Sequence, residues 1–171
     1  MKFFFISKTI NDYRSLKTSL LASFFVFIYH FLFSQCTSNQ IEFEVEVTTD
    51  QWGYEAYWEI TEQNSDCGVN TVFFGGNSTV GCSGGGLQVA SASDPGAYSN
   101  NSTVLSLSFC LDLDSCYTFH MVDDYGDGGT SYNIVASGLP GVVASFSSEG
   151  TMNSVVFCAS VPVPSDRDWE T

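Results

Sequence analysis

Between Cys116 and Gly129 the chain changes character in mid-course, and that change limits what it can fold into. From Cys116 to Val122 the side chains alternate. Tyr117, Phe119 and Met121 fall on one side of an extended chain, and Thr118, His120 and Val122 on the other, because strand side chains repeat every two residues. The alternation stops at Asp123, Asp124 and Asp127, which are interspersed with Tyr125, Gly126, Gly128 and Gly129. Three carboxylates this close repel one another unless a cation or hydrogen-bond donors compensate them. The glycines let the backbone fold tightly and turn carbonyls inward. A strand running into such a loop is expected to hold a hard cation, and calcium takes oxygen ligands of this kind. The plainer alternative is a polar turn, since Asp and Gly are also the usual turn residues.

The loop is not an EF-hand. Asp123, Tyr125, Asp127 and Gly128 fall at that motif's positions 1, 3, 5 and 6. Position 3 should be Asp or Asn, and position 12, which should be Glu, is Ile134. Strands rather than helices flank it.

The same period of two recurs along the chain. Ile41, Phe43, Val45 and Val47 alternate with Glu42, Glu44 and Glu46, which predicts a strand with one core face and one solvated face. Further strands are expected at 56–61, 71–74, 104–109, 132–136, 142–146 and 154–157, with a weaker one at 87–90. Gly/Ser/Asn/Asp segments separate them, and residues 75–86 form a Gly/Ser-rich loop. No window beyond residue 35 carries a helical period. This pattern predicts an all-β chain: an antiparallel β-sandwich or jelly roll with disulfides.

Six cysteines, Cys36, Cys67, Cys82, Cys110, Cys116 and Cys158, suggest three disulfides. Six cysteines allow 15 pairings. Proximity favours Cys110–Cys116 and Cys67–Cys82, which leaves Cys36–Cys158 to join the ends. A zinc site lacks the Cys-x-x-Cys spacing that it would need.

Residues 1–35 read as a signal peptide. A basic leader (Lys2, Lys8, Arg14, Lys17) precedes an apolar run from Leu20 to Phe33, which is short for a spanning helix. A retained anchor and lipid attachment at Cys36 are the alternatives. Residues 36–160 form the expected domain, and residues 161–171 a tail or the start of a linker. The chain holds 5 Lys+Arg and 19 Asp+Glu. Beyond residue 35 one base, Arg167, faces 18 acids, a net charge of −17. Such a surface excludes nucleic acid and disfavours anionic membranes, so neither is an expected partner once the signal is removed. It attracts cations.

Two stretches together resemble a known module. Residues 49–60, Thr49-Asp-Gln-Trp-Gly-Tyr-Glu-Ala-Tyr-Trp-Glu-Ile60, are similar to its first signature. Residues 116–128, ending in Asp123-Asp-Tyr-Gly-Asp-Gly128, are similar to its second. The module is a poorly characterised extracellular unit of microbial secreted and cell-surface proteins, sometimes found beside secreted peptidase domains. The resemblance covers roughly residues 41–158. It implies a secreted β-rich module and no established activity.

Each of the two stretches places acids at a strand end: Asp50 and Glu55 in one, Asp123, Asp124 and Asp127 in the other. If the two loops share one end of the sandwich, these five carboxylates are the candidate calcium ligands. Trp52 and Tyr54 lie in the first loop and are the candidates for ligand contact by stacking on a sugar face. Trp58 lies mid-strand and reads as core. His120 reads as a satisfied strand residue. Catalytic equipment is sparse beyond residue 35: no Lys, one Arg, one His, no Gly-x-Ser-x-Gly and no His-Glu-x-x-His. The expected function is therefore a secreted or cell-surface, non-catalytic binding or adhesion module. It would be calcium-stabilised and would take an extracellular glycan or a cell-surface protein as partner. Alternatives are a structural spacer without a specific ligand and a carboxylate-dependent glycoside hydrolase. Asn77, Asn100 and Asn101 satisfy the Asn-x-Ser/Thr acceptor rule.

Overall fold

The alternating residues do become strands, and the computed structural model shows how they are layered. It describes residues 36–137 and 141–160. The expected signal peptide (1–35) and tail (161–171) lie outside the described residues. Nine strands are present among the described residues: β1 (Gln40–Thr48), β2 (Ala56–Glu62), β3 (Thr71–Gly76), β4 (Thr103–Leu105), β5 (Phe109–Asp112), β6 (Cys116–Asp123), β7 (Ser131–Ala136), β8 (Val142–Ser147) and β9 (Met152–Cys158). Two single 3₁₀ turns, Gly53–Glu55 and Gly81–Ser83, interrupt the loops. One antiparallel sheet has the order β4-β1-β7-β8, with β5 also pairing β1, and the other has the order β3-β2-β6-β9.

The core lies between these sheets. Phe43, Val45 and Val47 of β1 are fully buried, as their alternation with glutamates requires. They meet Tyr132 and Ile134 of β7 and, from the second sheet, Trp58, Ile60, Phe119 and Met121. Phe119 is the aromatic hub: it stacks on Trp58 with ring centroids 5.6 Å apart and on Phe146 at 5.1 Å. The Trp58 indole N–H donates to the Tyr98 hydroxyl at 2.9 Å, which satisfies the one polar atom that a buried Trp brings.

β6 departs from simple alternation, because both of its faces are covered. The chain between β2 and β4 folds over the outer face of the second sheet. Tyr57, Val80 and Val122 form a small second core there, with Cys67, Cys82 and Ala90 packed against it.

Two strand expectations are corrected. Residues 104–109 are not one strand but two, β4 and β5, on the same edge of β1. Between them the Ser106 N–H still donates to the Val45 carbonyl at 2.9 Å, but the Val45 N–H goes to Ser106 Oγ at 2.9 Å instead of to a backbone carbonyl, and Leu107 swings out to 82% exposure. Residues 87–90 are not a strand. The Leu87 N–H goes to the Gly84 carbonyl, and those of Gln88, Val89 and Ala90 go to Asp124.

The disulfides are Cys36–Cys110, Cys67–Cys82 and Cys116–Cys158. Cys67–Cys82 is as expected, whereas the expected Cys110–Cys116 and Cys36–Cys158 pairs are wrong. Nearness in sequence misleads because the short turn between Cys110 and Cys116 crosses from one sheet to the other. Cys110 pairs with Glu42 of β1, and Cys116 is the register partner of Cys158 across β6 and β9.

Candidate metal centre

The antiparallel register of β2 and β6 brings the two acidic segments together. Ala56, the first residue of β2, pairs with Asp123, the last of β6. Glu55, in the 3₁₀ turn just before β2, therefore lies beside Asp123, and its carbonyl accepts the Asp124 N–H at 3.0 Å. The loop after Asp123 turns back at once. Gly126 has φ 92, a left-handed conformation that favours glycine, and its N–H donates to Asp123 Oδ1. This return carries Asp127 back over the strand ends. Glu55, Asp123 and Asp127 each offer a carboxylate oxygen, and the three oxygens lie within 4.8 Å of one another. Glu55 and Asp123 are buried, and Asp127 is exposed at the rim.

The other two candidate ligands occupy different places. Asp50 Oδ1 accepts the Trp52 N–H at 2.8 Å. Its second oxygen lies where a side chain on Gly129 would stand, which is why that position, at φ 103, has to be glycine. Its charge still reaches Glu55. Asp124 points the other way: its two oxygens accept the N–H groups of Val89 and Ala90 at 3.0 and 2.9 Å, and its carbonyl accepts Gln88 N–H at 3.1 Å. Asp124 thus anchors residues 88–90 to the sheet, and that anchoring keeps them from becoming a strand.

The electrostatics of the three converging carboxylates are unfavourable as they stand. Burial, reinforced by the charges of Asp123, Asp127, Asp124 and Asp50, pushes the Glu55 carboxyl up to about 7. Burial also raises Asp123. The Gly126 N–H opposes that rise, and the Asp127 charge adds to it. No Lys or Arg occurs among the described residues, so no side-chain cation offsets this charge. Oxygen donors without a basic partner form the donor set that a hard cation takes, and calcium accepts 6–8 oxygens in flexible geometry. The neighbouring Tyr132 is fully buried, and its hydroxyl is the one buried side-chain polar atom among the described residues without a hydrogen-bond partner.

A second carboxylate, Glu59, is 1% exposed on β2 next to the Cys67–Cys82 disulfide. Those sulfurs are bonded to each other and are not metal ligands. Glu59 accepts hydrogen bonds from the Tyr57 hydroxyl at 3.0 Å, the Gly68 N–H at 3.1 Å and the Thr71 hydroxyl. His120 is paired on both nitrogens, by Thr61 Oγ1 at 3.0 Å and Ser154 Oγ at 2.7 Å. Burial lowers its pKa, and the Glu59 charge works against that.

Trp52 is 43% exposed and stands edge-on to Tyr54, with centroids 6.1 Å apart. Tyr54 is half-buried, and its carbonyl is held by Asn77 Nδ2 at 2.7 Å. Tyr125, in the acidic loop, is 56% exposed. Sequence reasoning missed two residues that shape this end of the molecule, Asn77 and Tyr98. Asn77 follows directly on Gly75-Gly76, where a polar side chain that caps its own backbone is common, and this was the only local signal of its role.

Compared with known protein families, with curated proteins and with solved structures, the chain matches none.

Proposed function

We propose that this chain is a calcium-stabilised, non-catalytic extracellular binding or adhesion module, with a glycan as its partner class. The observation that carries the proposal is the convergence of Glu55, Asp123 and Asp127 at one point, two of them buried and none facing a base. Carboxylates that meet at a point suit an ion. A glycoside hydrolase instead needs two carboxylates on either side of a bond. Three disulfides suit an oxidising compartment, and no helix among the described residues is long and apolar enough to cross a membrane. Trp52 and Tyr54 sit in the loop that supplies Glu55. An ion that orders this loop would also order the aromatic faces on which a sugar can stack.

A glycan array, run with calcium and with chelator, tests this reading. Binding that needs calcium and is lost in Trp52→Ala supports it. Calcium-stabilised protein that binds no glycan in either condition leaves the module as a structural spacer and overturns the ligand.

A further inference from the structure

An Asn-x-Ser/Thr acceptor normally marks a surface loop. Asn77-Ser78-Thr79 breaks that rule, because Asn77 is 0% exposed. Its Nδ2 donates to the Tyr54 carbonyl at 2.7 Å and to Asp94 Oδ2 at 3.2 Å. Its Oδ1 accepts the Thr79 N–H at 2.9 Å, and its own N–H donates to the Ala56 carbonyl at 2.9 Å. Both amide hydrogens are engaged, and no room is left for a sugar. Two of these partners, Tyr54 and Ala56, flank Glu55. Asn77 therefore also fixes the backbone that aims the first carboxylate of the acidic cluster.

Asn100 and Asn101 are different. Both are exposed. Asn101 sits in a left-handed turn at φ 49, where its N–H donates to the Asp50 carbonyl. Asn100 uses only its Oδ1, which accepts the Gly53 N–H at 3.1 Å. Neither Nδ2 donates to a described residue, so a sugar on either would extend into solvent.

We infer that Asn101 is an open N-glycan acceptor and that no folded copy of this chain carries a glycan at Asn77. In the transfer the amide nitrogen attacks C1 of a lipid-linked oligosaccharide. The new N–C bond replaces the C1–O bond to the lipid diphosphate, and the nitrogen gives up one hydrogen as a proton. Transfer acts on chains that have not yet folded, so burial does not protect Asn77 at that moment. A sugar added there removes a hydrogen that the fold uses and fills space occupied by Tyr54 and Asp94. It blocks folding instead of decorating the surface. This holds whether or not the acidic cluster holds calcium.

The full chain, secreted from cells that carry out N-linked glycosylation, provides the test by glycopeptide mass spectrometry. Secreted protein with all thiols oxidised should be bare at Asn77 and occupied at Asn101. Chains glycosylated at Asn77 should appear only in the retained pool, with free or mispaired thiols. Thr79→Ala, which deletes the acceptor and keeps Asn77, should raise the secreted yield several-fold. Chemical inhibition of transfer on the wild-type chain should do the same without any substitution. Thr79→Ala and wild type made in a bacterial periplasm and compared by melting give the cost of losing the Thr79 hydroxyl, which also bonds Asp94, and so separate it from loss of the glycan. Secreted, fully oxidised protein with a glycan at Asn77 overturns the first half of the inference, and secreted protein bare at Asn101 overturns the second.

Discussion

Glu55→Gln should make the protein more stable in chelator and less stable in calcium than wild type. Gln keeps the shape of the side chain and removes the charge. In the folded chain the Glu55 carboxyl is pushed up to about 7 from 4.5, so the folded state binds this proton more tightly than the unfolded state does. A group raised in this way contributes its full stability below the unfolded value and loses it as pH rises through the folded value. At pH 8 the ionised carboxylate is therefore a burden. Each pKa unit corresponds to about 1.4 kcal/mol, so the shift sets an upper value of about 3.5 kcal/mol. The cluster opens to water at Asp127, and screening there reduces the expected cost to roughly 1–2 kcal/mol. Removing it should raise Tm by roughly 3–10 °C for a domain of this size. At pH 5 wild-type Glu55 carries its own proton, and the difference should shrink. With calcium the order reverses: an ion at a hundredfold excess over Kd stabilises wild type by about 2.7 kcal/mol, and the variant has lost a ligand. Differential scanning calorimetry at pH 5 and pH 8, in chelator and in millimolar calcium, gives all four values. A variant that melts below wild type by the same amount in all four would show that Glu55 is a packing residue and that the ion is wrong.

Two further outcomes follow from the same geometry. Asp127→Ala should abolish the rise in Tm with millimolar calcium, whereas Glu44→Ala, on the solvent side of β1, should leave it intact. A calcium effect on wild type no larger than that of matched ionic strength would refute both. Replacing Cys116 and Cys158 together opens a loop of 42 residues, against 15 for Cys67 and Cys82. Loop-closure entropy then gives losses of about 4 and about 3 kcal/mol. Equilibrium denaturation of the two double variants checks the order, and a larger loss from the Cys67/Cys82 pair would mean that its contacts, not its loop, set its value.

The fold was legible wherever one face of a strand is wet. Ile41–Val47 shows its core face directly, because β1 carries glutamates on its other side. The same rule fails for β6, whose outer face is covered by a loop excursion that the period of two does not encode. The split of residues 104–109 was hidden for a different reason. Ser106 fits the alternation, and only the partner strand shows that its hydroxyl takes the Val45 N–H. Disulfide pairing failed where it relied on distance along the chain. Cys110 and Cys116 are six residues apart and belong to different sheets, while Cys116 and Cys158 are 42 apart and directly opposite in register. In a two-sheet fold such crossings are the rule, so register carries more weight than separation.

Clustered carboxylates in a sequence leave open which of them share a point in space. Asp123 and Asp124 are adjacent, and alternation alone separates them, since neighbouring side chains at a strand end leave on opposite sides. Asp123 turns towards Glu55, whereas Asp124 turns to the N–H groups of Val89 and Ala90. The two thus meet the same repulsion in different ways. Asp124 is compensated by fixed donors that the chain brings with it, so it needs nothing from solution. Asp123 also receives backbone N–H groups, Gly126 foremost, but it shares its site with two further carboxylates, and burial and the Asp127 charge still raise its pKa. The loop glycines, which alone would suit any polar turn, serve both arrangements, since Gly126 closes the turn on Asp123 and Gly129 leaves room for Asp50. Among the five carboxylates of these two loops, the charge is therefore least compensated where Glu55, Asp123 and Asp127 meet. This is the place at which the proposed calcium ion would sit, and at which a chelator should loosen the molecule first.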